Sequence, residues 1–561
     1  MLTLQLAYIW WRQQKIKWFL YNARHARAVQ RELLLKKVRT HASSEFGRDH
    51  GFAEIRSIED FRRRVPLTTY RYYLPYIERV KRGELQAMFA PGTKLHMFAL
   101  TSGTTAEAKY IPITQPFLEE YREGWNMWGV RTYATHLDLA WKKTLGLSSN
   151  WKQFFTEGGI PCGNISGLVA ETAPAVSRTM FLIPWTLSRI NNPASKQYTA
   201  LRLALAQDNV GMIMTANPST LITLARLADA RRESLIRDLY DGTVAADVEL
   251  PADVRRLLRK QLNRPARARA RELEKIVEKT GRLYPRDFWP KLTMLAIWLG
   301  GSAGAYLPRL KEYYGETLLR DHGLSASEGR MTMPLEDGQS AGILEYTHHA
   351  FEFIPEDEHD SPQPTVLEPH ELAVGKNYYI VMTTSSGLYR YDIHDVVRCT
   401  GYQGEAPLLE FLNKGNSFCS ITGEKLSEFQ VVSAVKNAYA ELGLPIDTFT
   451  LAPQFNDPPC YVLLVEEGTA GAHPEALARA IERHMGQWNL EYANRRETAR
   501  LGPLQVHEIP PGTWAAFRQQ RISRIGGSLE QYKHPCLASD LSFIPKLLEL
   551  APAAARVAIA S

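Results

Sequence analysis

The sequence has few cysteines, and their arrangement indicates neither a disulfide framework nor a structural zinc site. Five cysteines occur among 561 residues. Their number is odd, and they are scattered without the Cys-x-x-Cys spacing that is typical of zinc sites, so we expect neither a disulfide framework nor a structural zinc ion. Such usage fits a reducing compartment, and we expect a cytoplasmic protein.

Long apolar runs are also missing. The aromatic segment that begins LAYIWWRQQKIKWF carries Arg or Lys at every turn. No stretch approaches the roughly 18 uninterrupted apolar residues that a membrane-spanning helix needs. No small-residue cleavage site follows it, so a secretory signal peptide is not expected either. We therefore expect no stable membrane insertion.

A strong charge imbalance is likewise missing. The 67 Lys and Arg residues against 60 Asp and Glu residues give a net charge of +7, which is too dilute over so large a surface to indicate a nucleic-acid partner. The length exceeds what one hydrophobic core usually serves. We expect a large domain at residues 1–413 and a smaller domain at residues 414–561, with a hinge at the junction.

The segment TSGTTAEAKYIPIT, which follows an apolar strand-like stretch, is the most informative feature present. Its small hydroxyl residues surround one glycine, and a lysine comes next: Thr101, Ser102, Gly103, Thr104, Thr105 and Lys109. Such a loop can turn backbone N–H groups and hydroxyls onto phosphate oxygens, and the lysine adds a compact positive charge. It lacks the Gly-Lys-Ser/Thr ending of a Walker loop. Taken alone, it fits a phosphate-binding loop and an ordinary polar loop equally well.

Three later segments favour the first of these alternatives. A small-residue turn at Gly300–Gly304 lies between a strand and a helix, where backbone can lie flat against a nucleobase. Glu328, in SASEG, is placed where a carboxylate could hold magnesium beside phosphates. Asp395, in YRYDIHD, could accept hydrogen bonds from ribose hydroxyls. We expect no metal ion in that last segment, because three ligands within four residues of one strand cannot all face one ion.

The ordered set of motifs resembles the auxin-responsive Gretchen Hagen family of acyl acid amido synthetases, a branch of the adenylate-forming superfamily. The motifs span about residues 90–535 and are TSGTT with its lysine, the small-residue turn, SASEG, GLYRYDIHD, GEKLSE and QYKHP. The resemblance implies an α/β fold, in which a large mixed α/β N-terminal domain with a β-barrel-like subregion precedes a smaller, mobile α+β C-terminal domain.

The resemblance also implies roles for particular residues. The ATP-binding set comprises Thr101, Ser102, Gly103, Thr104, Thr105, Lys109, Ser302, Ala303, Ser327, Asp395 and Lys425. The catalytic set comprises Lys533, Lys414 and Glu328, of which Glu328 would also hold Mg²⁺. Lys533 would be brought to the active site by the small domain. Three positions depart from the family pattern: Ala106 and His394 replace glycines, and Ala108 replaces a proline.

The implied activity is ATP-dependent activation of a carboxylic acid to an acyl-adenylate, followed by transfer of the acyl group to an amine. The amine is commonly that of an amino acid, and AMP and pyrophosphate are released. Two alternatives stay open at this point. One is an acyl-CoA ligase or another acyl-adenylating enzyme, and the other, suggested by Ala106 and His394, is a nucleotide-binding protein without turnover. The sequence specifies neither the acid, the amine nor the oligomeric state.

Overall fold

The chain forms two compact units. The computed structural model describes residues 2–102, 108–216, 218–300, 307–415, 418–444, 448–471, 473–525 and 534–550. The first unit comprises Met1–Thr101 with Lys109–Asn413, and the second comprises Ser102–Ala108 with Lys414–Ser561. Helices and strands alternate through both, which confirms the predicted α/β class.

Fifteen helices of the first unit are described. They are α1 (Leu2–Asn22), α2 (Ala26–Thr40), α3 (Glu45–Asp49), α4 (Ile58–Arg64), α5 (Tyr70–Lys81), α6 (Gln115–Thr135), α7 (Ile165–Glu171), α8 (Ala175–Met180), α9 (Pro193–Leu205), α10 (Pro218–Ala230), α11 (Arg232–Asp241), α12 (Ala252–Leu262), α13 (Arg267–Thr280), α14 (Pro285–Phe288) and α15 (Leu307–Tyr314). Within the described residues, none of the helices of either unit is long and apolar enough to span a membrane.

Sixteen strands are described in the same part of the chain. They are β1 (Leu95–Ser102), β2 (Ala108–Thr114), β3 (Lys143–Gly146), β4 (Phe154–Phe155), β5 (Pro161–Gly163), β6 (Val210–Met214), β7 (Met294–Ala296), β8 (Leu318–Arg320), β9 (Ser325–Ala326), β10 (Gly329–Arg330), β11 (Thr332–Met333), β12 (Gly342–Leu344), β13 (Ala350–Pro355), β14 (Asn377–Thr383), β15 (Tyr391–Gln403) and β16 (Ala406–Lys414).

Two four-stranded sheets carry the N-terminal motifs. One has the order β2-β1-β5-β4, and the other has the order β3-β6-β7-β8. The second sheet is parallel throughout, and nearly every residue of β6 and β7 is buried. Continuous apolar runs such as VGMIM suit such strands, because a parallel sheet is covered on both faces. In the first sheet, β1 and β2 are neighbours.

A six-stranded sheet follows, with the order β11-β12-β16-β15-β14-β13. Its central pairs are antiparallel, and Ala350–Pro355 of β13 pairs without interruption with Thr383–Tyr378 of β14. The pairing of β14 with β15 is interrupted between Tyr379 and Val381. That interruption affects the placement of a predicted site residue, described below.

The second unit has its own core. Its elements are β17 (Phe418–Cys419), β18 (Leu426–Ser427), α16 (Glu428–Glu441), β19 (Phe449–Gln454), β20 (Cys460–Glu466), α17 (Pro474–Trp488), α18 (Leu490–Glu497), β21 (Gln505–Ile509), α19 (Thr513–Ile525) and α20 (Phe543–Leu548). The sheet β19-β20-β21 pairs β20 antiparallel to β19 and parallel to β21. Buried residues of α16 and α17 join β19 and β20 in one hydrophobic cluster.

One helix predicted in this unit is in fact two. The pattern PEALARAIERHMGQWNLEYA predicts a single helix, whereas α17 ends at Trp488 and α18 begins at Leu490. Asn489 separates them because its backbone is extended, with φ −141°, and its side chain accepts a hydrogen bond from the Tyr492 N–H. The same side chain donates to the Glu424 carbonyl oxygen at 2.8 Å. Asparagine is a preferred helix N-cap because its side-chain oxygen accepts a hydrogen bond from a backbone N–H of the first turn.

The Glu424 side chain organises the turn that precedes β18. It is fully buried, and its carboxylate accepts from the N–H groups of Ile421 at 2.6 Å and Thr422 at 2.7 Å. The hydroxyls of Thr422 and Tyr461 donate to the same carboxylate. A buried carboxylate is tolerated only when donors compensate its desolvation.

We expect Tyr461→Phe to destabilise the second unit by roughly 1.5–3 kcal/mol, because a hydrogen bond to a buried charge is lost while its volume is kept. Native-state hydrogen exchange of β20 amides in the full chain measures this. Tyr492→Phe is the matched control: Tyr492 is equally buried, but its hydroxyl lies 3.4 Å from Glu482 Oε1, so a smaller effect is expected. Equal losses in both variants would contradict the role of Glu424.

Candidate functional site

Lys109, at the start of β2, lies between two tyrosines of the first unit. Its Nζ donates to the Tyr391 hydroxyl at 3.0 Å and lies 5.7 Å from the ring centroids of both Tyr70 and Tyr391. The Lys109 side chain is buried. The predicted phosphate-loop lysine therefore contacts the Tyr391 hydroxyl and the faces of two aromatic rings, which favour its charged form.

Glu328 approaches the same tyrosines from another element. Burial raises the pKa of Tyr391 well above its ordinary value, and the charge of Glu328 contributes to that rise. Burial is the main cause of the raised pKa of Tyr70, the hydrogen bond from the Tyr110 N–H opposes that rise, and the charge of Glu328 adds a smaller increase. The structure thus gathers Lys109 and Glu328, which are far apart in the sequence, around Tyr391.

The SASEG motif is a tight hairpin. Gly329 pairs with Ala326 and Arg330 with Ser325, so Ser327 and Glu328 form the two-residue connection at its tip. Arg330 anchors the hairpin: it is buried, its guanidinium lies 4.5 Å from the Trp125 ring centroid, and Nη2 donates to the His322 carbonyl oxygen. Burial lowers the pKa of Arg330 to about 10.

The chemistry of Glu328 suits a divalent cation. Only 4% of the residue is exposed, and among the residues that the structure describes its carboxylate has no hydrogen-bond donor or cationic partner. A cation bound beside a largely buried carboxylate would compensate its charge. Mg²⁺ is commonly held by one or two carboxylates together with substrate phosphates. Glu328 therefore fits the magnesium ligand that the sequence predicts.

Asp395 is placed by an irregularity of β15. Tyr379 pairs with Val396, but Val381 pairs with Asp392, so β15 uses four residues where β14 uses two. The extra residues form a β-bulge, and within it His394 has a left-handed backbone with φ 59°. Asp395, next to it, is 2% exposed. A bulge can turn a side chain in this way toward a ligand site.

The left-handed backbone at residue 394 explains why the family pattern has glycine at this position. Glycine adopts positive φ without strain, whereas a residue with a Cβ does so at a cost. Position 394, where the resemblance implies glycine, has this backbone conformation. His394 therefore keeps the bulge geometry at the expense of some strain.

The start of β15 is tied to the segment before α5. The Thr68 N–H donates to the Arg390 carbonyl oxygen at 2.9 Å, and the Asp392 N–H donates to the Thr68 carbonyl oxygen at 2.8 Å. The Arg390 guanidinium is buried and donates to Glu352 Oε2 at 2.9 Å. The GLYRYDIHD motif is thus rigidly held before it reaches Asp395.

Lys425 belongs to the second unit, in the turn that Glu424 organises. Its backbone is left-handed, with φ 48°, and its side chain is partly exposed. Thr101 and Ser102 end β1 and Lys414 ends β16, but their side chains are not described. The remaining predicted residues lie outside the described part of the chain: Gly103, Thr104, Thr105, Ser302, Ala303 and Lys533.

Sequence reasoning missed two residues that the structure places beside Lys109. Tyr391 lies within the GLYRYDIHD motif, but nothing in the motif distinguishes it from Tyr389. Tyr70 is one of several tyrosines in TTYRYYLPY, and only the fold brings it to Lys109. The family roles of all these residues stay predictions.

Comparison with protein families covers most of the chain. Models of the GH3 family match in order: the N-terminal domain at residues 15–319, the central domain at 342–414 and the C-terminal domain at 429–542. Together, the three matches cover most of the residues that the structure describes.

Individual proteins of known name are similar over nearly their whole length. A probable indole-3-acetic acid-amido synthetase of Oryza sativa subsp. japonica is 27% identical, over 91% of this chain and 88% of the rice protein. A jasmonoyl-L-amino acid synthetase of Nicotiana attenuata is 24% identical, over 93% and 92%. The solved structure of AtGH3.15 acyl acid amido synthetase in complex with 2,4-DB superposes with a TM-score of 0.66 at 21% identity, over 95% of both chains, which shows a shared fold.

We expect Gly329→Ala to destabilise the chain by about 1–3 kcal/mol, as overpacking of a filled interior does. A Cβ there would come within 2.6 Å of Met382 Cε and 2.9 Å of His349 Nε2. Thermal unfolding measures the effect. Gly129→Ala is the matched control, because a Cβ on that helical glycine meets nothing within 4 Å, so its melting temperature should hold or rise. A Gly329→Ala variant as stable as the control would show that the hairpin is not tightly packed.

Proposed function

The chain belongs to the GH3 family, and from that premise we propose that it is an ATP-dependent acyl acid amido synthetase. It activates a carboxylic acid to an acyl-adenylate and transfers the acyl group to the amine of an amino acid. The observation that carries this proposal is the match of all three GH3 domains in order. The names of the relatives, which act on indole-3-acetic acid and jasmonate, support the amide product.

In the first half-reaction, a carboxylate oxygen of the acid bonds to the α-phosphorus of ATP, and the bond to the β-phosphate oxygen breaks. The Lys109 ammonium, positioned by its hydrogen bond to the Tyr391 hydroxyl, would offset negative charge on the phosphates. The buried Asp395 carboxylate would accept hydrogen bonds from ribose hydroxyls. Both groups act by orienting ATP and stabilising charge.

Glu328 would hold Mg²⁺ in the same site. When bound, the ion supplies Lewis-acid stabilisation of the phosphate charge. The hairpin that presents Glu328 is anchored by Arg330, so the carboxylate is preorganised for this role.

In the second half-reaction, the amine nitrogen bonds to the acyl carbon, AMP leaves, and the nitrogen loses a proton. We infer that the second unit brings Lys533 to the adenylate for one of the two half-reactions, with Lys414 at the hinge and Lys425 near the nucleotide. Such alternation would let one site exclude water first and admit an amine later. We propose a cytoplasmic location for this small-molecule chemistry.

The proposal predicts magnesium-dependent exchange of labelled pyrophosphate into ATP in the presence of a suitable acid. Glu328→Gln should reduce this exchange by about 10²-fold or more, since a neutral amide is a weak magnesium ligand and one preorganised charge is lost. The rate is measured over a panel of carboxylic acids. Glu336→Gln is the control: Glu336 is half exposed and pairs with Arg131, so exchange should stay at the wild-type rate.

Two results would count against this account. Undiminished exchange in Glu328→Gln would show that Glu328 does not hold the magnesium ion, although the proposed activity would still be supported. An absence of exchange for every acid, in a wild-type protein that still binds ATP, would favour the alternative of a nucleotide-binding protein without turnover.

A further inference from the structure

Two imidazoles and one carboxylate converge at the bulge of β15. One ligand atom each from His359, Asp392 and His394 lies within 4.8 Å of the other two. Asp392 Oδ2 is central: it lies 2.7 Å from His359 Nε2 and 3.3 Å from His394 Nδ1. None of these side chains has a role in the proposed chemistry.

The backbone of β15 explains how two of the three come together. His394 lies in the bulge, where its left-handed backbone interrupts the strand alternation, and its Nδ1 comes within 3.3 Å of Asp392 Oδ2. The spacing of residues along β15 excludes a metal ion only if β15 supplies every ligand. His359 supplies the third ligand from the loop after β13, 33 residues earlier in the chain.

Neighbouring contacts orient each ligand atom toward the same point. Asp392 Oδ1 accepts the His394 backbone N–H at 2.7 Å, which leaves Oδ2 directed at the imidazoles. The His359 ring stacks on Tyr379, with centroids 3.6 Å apart. Its Nε2 donates to Asp392 Oδ2 at 2.7 Å, and a metal ion bound between these atoms would replace that proton, while Nδ1 keeps its own proton 3.4 Å from Asp360 Oδ1. Carboxylates commonly orient metal-binding histidines in this way.

We propose that His359, Asp392 and His394 form a binding site for one transition-metal ion of the Zn²⁺ type. Two imidazoles with one carboxylate suit Zn²⁺ and its neighbours, whereas Mg²⁺ prefers oxygen ligands. With metal–ligand bonds of about 2.0–2.2 Å, tetrahedral ligand atoms lie about 3.3 Å apart. The Asp392–His394 pair already has this separation, and the Asp392–His359 pair needs to open by only about half an ångström.

The site is accessible and joins two segments. The side chains of His359 and His394 are 16% and 30% exposed, so an ion can enter and solvent can fill a fourth position. A bound ion would tie the loop after β13 to the bulge that precedes Asp395. The site does not depend on the proposed enzymatic activity, because its ligands and its test involve no substrate.

Zinc titration of the full-length protein tests the proposal. Calorimetry with Zn²⁺ alone should give one strong site per chain, and Zn²⁺ should raise the melting temperature, as any ligand of the folded state does. Co²⁺ in its place should give the visible absorption of a nitrogen- and oxygen-bound ion. His394→Gly should weaken zinc binding at least about 10-fold and abolish the thermal shift. Glycine suits the left-handed backbone at this position, so the variant should remain folded.

Further variants separate this site from other histidines. His359→Phe keeps an aromatic ring against Tyr379 but no ligand atom, and it should also lose the strong site. His484→Ala is the matched control: His484 pairs with Glu441 at 2.9 Å and, within the described residues, belongs to no cluster of three such ligands, so its loss should leave zinc binding unchanged. The shift is measured within each variant, so altered baseline stability does not affect the result. A wild-type protein without a strong site, or a strong site retained in both His359→Phe and His394→Gly, would overturn the proposal.

Discussion

Two backbone hydrogen bonds of Thr68 hold the segment on which the candidate site depends. They join Thr68 to Arg390 and Asp392 and so fix the beginning of β15. From there the strand presents Tyr391 to Lys109 and, after the bulge, places Asp395 in a buried position. Because the ion pair of Arg390 with Glu352 is buried and hydrogen-bonded, the strand start cannot shift without exposing or orphaning charge.

The residue before β15 and one residue within it have strained backbones. Arg390 has φ 47° and His394 has φ 59°, conformations that cost non-glycine residues of order 1 kcal/mol or more each. Surrounding contacts maintain them: Arg390 through its ion pair, and His394 through the hydrogen bond of its N–H to Asp392. Strained backbone at a ligand site is a form of preorganisation, since ATP would meet side chains that are already positioned.

Much of the architecture could be predicted from local patterns. The apolar stretch LHMFALTS is β1, and the pattern PEALARAIERHMGQWNLEYA in the small C-terminal unit is helical, apart from the break at Asn489. The bulge could not be predicted, because it arises from a mismatch in pairing between β14 and β15. Its only trace in the sequence is a histidine where the family pattern has glycine.

Contacts between side chains of distant segments could not be predicted from the sequence either. Glu328 was singled out by its motif, and the structure adds that its carboxylate is buried near Tyr391. The approach of Tyr70 to Lys109 and of His359 to Asp392 depends on long-range packing, and no spacing rule along the chain contains it. Local motifs thus identified the charged groups, and the fold supplied the groups that position them.

Identification of the reaction product tests the central claim most directly. The full chain is incubated with ATP, Mg²⁺ and a panel of carboxylic acids, together with either a mixture of amino acids or coenzyme A, and the products are separated by mass. The account predicts an N-acyl amino acid, with AMP and pyrophosphate in amounts equal to the amide. An acyl thioester formed with coenzyme A in the absence of any amide, or ATP binding without any acyl product, would contradict it.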